Sequence, residues 1–154
     1  MAEIAGNAPF STFAGIDRSF LVASPGTLHM DIGGSGREAR FGHPIVFPGE
    51  AEVSAEALTG ATRNINLMTR RGFCSGSIDV QRQDGPMTVG APPAVALVLL
   101  EGEAWTSDGR RLGPLEFLIL GAGPEHVVFR QALVATINVQ GQSGDVERLE
   151  GVLN

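Results

Sequence analysis

The sequence predicts an all-β protein, a sandwich or barrel of short antiparallel strands. Three observations predict it. Turn-forming residues recur at the roughly eight- to twelve-residue spacing expected of such folds: Pro25-Gly26, Gly33-Gly34-Ser35-Gly36, Pro48-Gly49, Thr59-Gly60 and Asp84-Gly85-Pro86. The 21 Gly and 9 Pro are scattered rather than clustered, which suits tight turns between strands. Only residues 145–153 offer a helix-like pattern, and a weak one.

In chain order, strands are expected at 18–23, which stops at Pro25-Gly26, and at 27–32, which stops at the Gly33–Gly36 run. Residues 44–47 end at Pro48-Gly49, and 51–58 and 62–69 flank Thr59-Gly60. Residues 75–81 run toward Asp84-Gly85-Pro86. The apolar run 94–100, then 104–106, 116–120, 126–132 and 134–139 complete the series. In 62–69 apolar and polar residues alternate, so one face carries Asn64, Asn66, Met68 and Arg70, and the other Ile65, Leu67, Thr69 and Arg71. A strand needs no amides or guanidinium groups for stability, which marks that first face for attention. A solvated face on an edge strand is the plainer reading.

The second half echoes the first. Phe20-Leu21-Val22 followed by Gly26 matches Ala96-Leu97-Val98 followed by Gly102, and Gly42-His43-Pro44 matches Gly113-Pro114. Ala57-Leu58 through Thr62 to Ile65-Asn66-Leu67 is answered by Ala132-Leu133 through Thr136 to Ile137-Asn138-Val139. Such a repeat implies two half-sandwiches, residues 1–88 and 89–154, each too small to hold a good core alone.

Composition excludes several chemistries. All 11 basic residues are Arg; Lys and Tyr are absent, so there is no Schiff-base lysine and no tyrosine acid or nucleophile. A net charge of -6, with only the pairs Arg70-Arg71 and Arg110-Arg111 as basic clusters, argues against a nucleic-acid partner. Cys74 stands alone, so neither a disulfide framework nor a cysteine zinc site is expected. No signal-like start and no membrane-length apolar run is present, and a cytoplasmic protein is expected.

The segments Phe10-Ser11-Thr12-Phe13-Ala14-Gly15-Ile16-Asp17-Arg18, Phe47-Pro48-Gly49 and Asn66-Leu67-Met68-Thr69-Arg70-Arg71-Gly72 together resemble the HutD/Ves family in order and spacing. The resemblance covers about the first half of the chain. It implies a cupin-like fold with two jelly-roll halves (a bicupin), and a small-molecule-binding or regulatory role associated with histidine utilisation. Family members usually carry an earlier Trp-Lys-Asn-Gly-Gly-Gly segment. That motif is missing from this sequence, so ligand contacts it makes elsewhere are not expected from these residues.

Cupin metal centres gather His and Glu from neighbouring strands. Here His29, His43 and His126 are isolated, so no metal and no other cofactor is expected. Glu101-Gly102-Glu103 is expected to straddle a turn as solvated hairpin charges. Cys74 lacks a nearby histidine, and Gly33–Gly36 lacks the context and the lysine of a phosphate loop. Anion recognition is the positive hypothesis. Arg18, Asn66 and Arg70 lie in the family motifs, where a guanidinium can grip a carboxylate and an amide adds direction. Asp17 would orient Arg18 or neutralise it, and Phe13, Phe47 and Met68 would supply apolar walls.

The expected function is therefore non-catalytic binding of a small anionic metabolite of histidine catabolism. One alternative is a cupin isomerase or hydrolase, metal-dependent or not, acting through His126 and a Glu. Another is an interaction module whose exposed sheet edges pair two subunits into a homodimer.

Overall fold

The computed structural model describes residues 1–121 and 123–141; the expected helix at 145–153 lies outside them. Thirteen strands are formed and no helix among these residues. They are β1 (Ala2–Ile4), β2 (Asn7–Pro9), β3 (Ile16–Val22), β4 (Thr27–Ile32), β5 (Ser35–Arg40), β6 (Ile45–Pro48) and β7 (Val53–Ala57). Then follow β8 (Thr62–Arg70), β9 (Cys74–Val89), β10 (Ala94–Thr106), β11 (Arg111–Leu112), β12 (Phe117–Ile119) and β13 (Glu125–Gly141).

Three antiparallel sheets result, ordered β1-β8-β3-β6, β2-β7-β4-β5 and β11-β10-β13-β9, with β12 added beside β10. None closes into a barrel. The first two sheets enclose one core, in which Phe20, Val22, Leu28, Met30, Phe47 and Val53 are buried. The third sheet holds another core around Leu97, Leu99, Leu112, Val127, Phe129 and Val134. A third cluster joins the halves, packing Leu21, Ala23 and Ile65 against Ile78, Ala96, Val98, Leu100, Ala135 and Ile137. Strand alternation explains the division: Phe20 and Val22 point into the first core, Leu21 and Ala23 into the junction. The middle of β3 is consequently buried on both faces, which is why it reads as a continuous apolar run.

β3 lies between β6 and β8, and β10 lies between β12 and β13. The match read from sequence was one residue out. Leu21 pairs with Ile65 and Ala96 pairs with Ile137, whereas Leu97, the residue aligned by sequence with Leu21, points into the other core. A single-residue slip exchanges the two faces of a strand, and apolar runs buried on both faces conceal it.

Several expected turns are bends instead. β9 continues unbroken through Asp84-Gly85-Pro86, and β10 through Glu101-Gly102-Glu103. The two strands predicted at 126–132 and 134–139 are one strand, β13. The register is irregular between Phe129 and Ala132 and again around Glu101 to Glu103, so these features form one lateral fold line across the sheet. Gly85 and Gly102 there have φ of 85° and 83°, and Gln131 has φ 46°. Glycine and bulges let long strands curl over a core. The Glu101 and Glu103 carboxylates are separated onto different arginines, Arg82 at 3.8 Å and Arg111 at 2.5 Å, not shared in a hairpin. Within Gly33–Gly36 only Gly33 and Gly34 form the turn, with φ of 59° and 84°, and Ser35 already begins β5. β9, expected to close the first half, is the outer strand of the third sheet.

Candidate functional site

β3 and β8 lie side by side, with Arg18 opposite Met68, Phe20 opposite Asn66 and Val22 opposite Asn64. The alternation read from sequence therefore puts Asn64, Asn66 and Met68 on the same face as Arg18. At one end of the first sandwich this face borders a cleft of about 420 Å³, lined by residues of the β1–β2 segment, Phe10, Ser11, Phe13, Arg18, Phe20, Asn64, Asn66 and Met68.

Arg18 is the central group. It is only 3% exposed although it carries a charge. Its guanidinium carbon lies 5.1 Å from the Phe13 ring centre, 5.7 Å from Phe10 and 5.8 Å from Phe47. Its Nη2 donates to the Ser11 carbonyl oxygen at 2.5 Å, while Nε is buried with no acceptor. No carboxylate pairs with Arg18 among the described residues. Desolvation accordingly pulls its pKa below the ordinary arginine value. Aromatic faces offset part of that cost, but a buried cation lacking a counter-charge is a place where an anion gains free energy by binding.

The sequence-predicted residues divide. Arg18, Asn66, Met68 and Phe13 meet at the cleft, and Met68 and Phe13 are half-exposed there. Phe47 is buried behind Arg18, a floor beneath the guanidinium rather than a cleft wall. Arg70 does not line the cleft, for its guanidinium sits 4.4 Å over the Phe73 ring at the end of β8. Asp17 neither orients nor neutralises Arg18; alternation turns it to the opposite face, where it accepts from Arg71 Nη2 at 2.6 Å. Phe10, Ser11 and Asn64 also border the cleft and were not singled out as ligand-contacting residues. Ser11 acts through its backbone carbonyl, which no side-chain pattern reveals. Asn64 donates to the Thr62 carbonyl oxygen at 3.0 Å, so part of its role is internal to β8. Glu3, the acidic side chain at this cleft, is paired with Arg63 at 3.1 Å.

The loop carrying Phe10 to Gly15 is strapped down at both ends. Phe10 N–H donates to the Val53 carbonyl oxygen at 2.9 Å and Phe13 N–H to that of Gly49 at 2.7 Å. A Cβ on Gly49 would stand 2.6 Å from the Phe13 carbonyl oxygen and 2.9 Å from that of Ile16, which accounts for glycine in Phe47-Pro48-Gly49. Glu50 accepts from the Gly15 N–H at 2.7 Å and from Arg71 Nη1 at 3.1 Å. These bonds, Arg71 foremost, hold the Glu50 carboxyl down at about 2 from its ordinary 4.5.

A carboxyl whose pKa is lowered by folding contributes stability that is complete above its unfolded value and disappears as pH falls through the folded one. Glu50→Gln is therefore expected to be less stable than the parent at pH 7, with the gap closing between about pH 4.5 and 2. Urea denaturation across that range measures it. A gap that does not change with pH would contradict the assigned role of the charge.

The three histidines stay apart. His126 is exposed on β13, its Nδ1 3.0 Å from Thr88 Oγ1, and among the described residues it makes no ion pair with a carboxylate, the partner the enzyme alternative requires. Among the described residues no three His, Cys, Asp or Glu side chains gather where they could hold a metal ion. The donor set of a cupin metal centre does not fit these residues. No helix is long and apolar enough to cross a membrane among the described residues.

Against known proteins, the HutD family model matches residues 1–140. Among solved structures, the chain is similar to a conserved protein of unknown function from Pseudomonas aeruginosa PAO1, with 22% identity and TM-score 0.71, covering 92% of this chain and 80% of that one. It is also similar to HutD from Pseudomonas fluorescens SBW25 (formate condition), with 21% identity and TM-score 0.67, covering 92% and 77%. A cupin 2 conserved barrel domain protein from Leptotrichia buccalis shares 15% identity with TM-score 0.55, covering 90% and 81%. No curated protein sequence matches significantly. At these identities the structural likenesses establish a cupin-like fold.

Proposed function

The chain belongs to the HutD family, and on that premise we propose that it binds a small carboxylate metabolite in the Arg18 cleft without transforming it. The observation that carries this reading is Arg18 itself, buried, uncompensated by any carboxylate among the described residues, and with Nε lacking an acceptor there. A carboxylate meeting the guanidinium would supply the missing acceptor and counter-charge together. The exposed Asn66 amide adds a directional donor, and Phe13 and Met68 cover the ligand's apolar part. Arg70, outside the cleft, is given no part in this grip.

By family association the ligand is a histidine catabolite such as urocanate or a formylated derivative, and binding serves regulation of that pathway in the cytoplasm. The finer architecture we propose is a bicupin divided near Gly72 rather than after residue 88, because β9 pairs with β13.

A thermal-shift screen of urocanate, formylated amino acids and simple carboxylates, with and without divalent metals, tests the function. Saturating ligand at about one hundred times Kd adds about 2.7 kcal/mol, or roughly 5–10 °C for a domain of this size. No rise with any carboxylate, beside a clear rise with iron, nickel or manganese, would favour the metalloenzyme alternative.

A further inference from the structure

We infer that the second half carries its own small-molecule site, opposite in polarity to the Arg18 cleft and suited to a ligand bearing a primary ammonium group. The internal repeat leads to it. Asn138 on β13 stands where Asn66 stands on β8, each following an isoleucine, Ile137 or Ile65, buried at the junction of the halves. Alternation then turns both amides away from that junction. β9 flanks β13 as β1 flanks β8, with Asn138 opposite Ser77 and Gln140 opposite Ser75. Beside Asn138 lies a cavity of about 270 Å³, lined by Ser75, Gly76, Ser77, Pro93, Asn138 and Gln140.

What differs is the charge. Among the described residues no arginine lines this cavity; instead Asp79 stands beside it, exposed on the same face of β9 as Ser75 and Ser77. Asp79 Oδ2 accepts from Asn138 Nδ2 at 2.5 Å and from Ser77 Oγ at 3.1 Å. A carboxylate only accepts, so this contact fixes the Asn138 amide with its nitrogen toward Asp79, leaving the carbonyl oxygen for another donor. The Ser77 proton is committed to the same carboxylate and Asn138 Nδ2 donates to Ser77 Oγ at 3.3 Å, so that oxygen keeps one lone pair for a ligand. Asn138 and Ser77 thus present acceptors, flanked by a negative charge, and among the described residues no basic side chain lines the cavity. Such a wall repels carboxylates and attracts a compact ammonium with three donors. The volume suits a ligand of fewer than about ten heavy atoms, taking about 30 Å³ for each water-sized group.

Amide-detected NMR titration of the whole protein with propylammonium chloride tests the site, against propionate, glycerol and sodium chloride at equal ionic strength. Saturable shifts of the Ser77 backbone and Asn138 side-chain amides are expected with propylammonium alone. Asp79→Asn should weaken them at least tenfold, and Ser77→Ala at least threefold, giving a second measure should the first variant fold poorly. Carboxylate binding at Arg18 should be unaffected in both, so failure here and failure of the anion cleft are separately visible. Shifts that follow ionic strength, that glycerol reproduces, or that neither variant weakens would overturn the inference.

Discussion

Replacing Arg18 with methionine is expected to abolish the carboxylate response while leaving the ligand-free fold almost as stable as before. Truncating one partner of a buried, hydrogen-bonded charge pair costs about 2–5 kcal/mol of binding, from roughly thirtyfold to several-thousandfold in affinity. The ligand-free protein loses much less. Its guanidinium has no carboxylate partner among the described residues, and exchanging buried charge for apolar volume is commonly neutral or favourable. Against that stand the cation–π contacts with Phe10, Phe13 and Phe47 and the hydrogen bond to Ser11. These are together worth about 1–3 kcal/mol. The opposing terms leave a net change of about 1 kcal/mol, or roughly 2–4 °C in Tm. Arg18→Lys keeps the charge and loses the planar fork, so its affinity should fall between the two. Calorimetric titration and thermal melts of the three proteins read out both effects. A large stability loss in Arg18→Met with carboxylate binding retained would make the arginine structural.

The second large effect is predicted at the fold line of the third sheet. A Cβ on Gly102 would stand 2.5 Å from the Gln131 carbonyl oxygen, 2.6 Å from that of Arg130 and 2.8 Å from Ala132 Cα, at φ 83°. All three obstacles are backbone, which no rotamer change can clear. Gly102→Ala should therefore cost about 3 kcal/mol or more, combining dihedral strain with overpacking. Gly85 provides the control, because its φ of 85° is nearly the same but nothing lies within 4 Å of its would-be Cβ. Gly85→Ala should cost only about 1 kcal/mol, the dihedral penalty alone. Chemical denaturation distinguishes the two. Equal losses would mean that the strands do not cross as closely at Gly102 as the structure places them.

That fold line also shows where sequence reasoning succeeds and where it stops. Period-two patterning located the principal strands and the Asn64–Asn66–Met68 face, because a sandwich interior imposes alternation on any strand with one wet side. The polar edge strand β5 escaped it, since among Ser35–Arg40 only Ala39 is buried and nothing alternates visibly. Gly85 and Gly102 read as turns in the sequence but lie within continuous strands, because a glycine at positive φ serves a hairpin turn and a bulge equally well. Only the pairing of β10 and β9 with β13 tells them apart.

At the site, Arg18, Asn66, Met68 and Phe13 could be nominated from motif and alternation. Arg70 shows the limit of that rule. It occupies the correct parity at the end of β8, where the strand stops and a neighbouring aromatic ring, Phe73, captures the guanidinium. The decisive property of Arg18, burial without a counter-charge, was not legible at all. Asp17 beside it in sequence looks like a ready partner, yet consecutive strand residues face opposite ways, and Arg71 and Glu50 complete Asp17's network on the far side.

The most direct measurement is the nitrogen–proton spectrum of the Arg18 Nε–H during titration with a carboxylate that raises the melting temperature. The Arg18 resonance should move and saturate at the same midpoint as the heat of binding, and stay still when the ligand's uncharged amide analogue is added. A carboxylate that binds with measurable heat while the Arg18 resonance does not change would contradict the anion cleft.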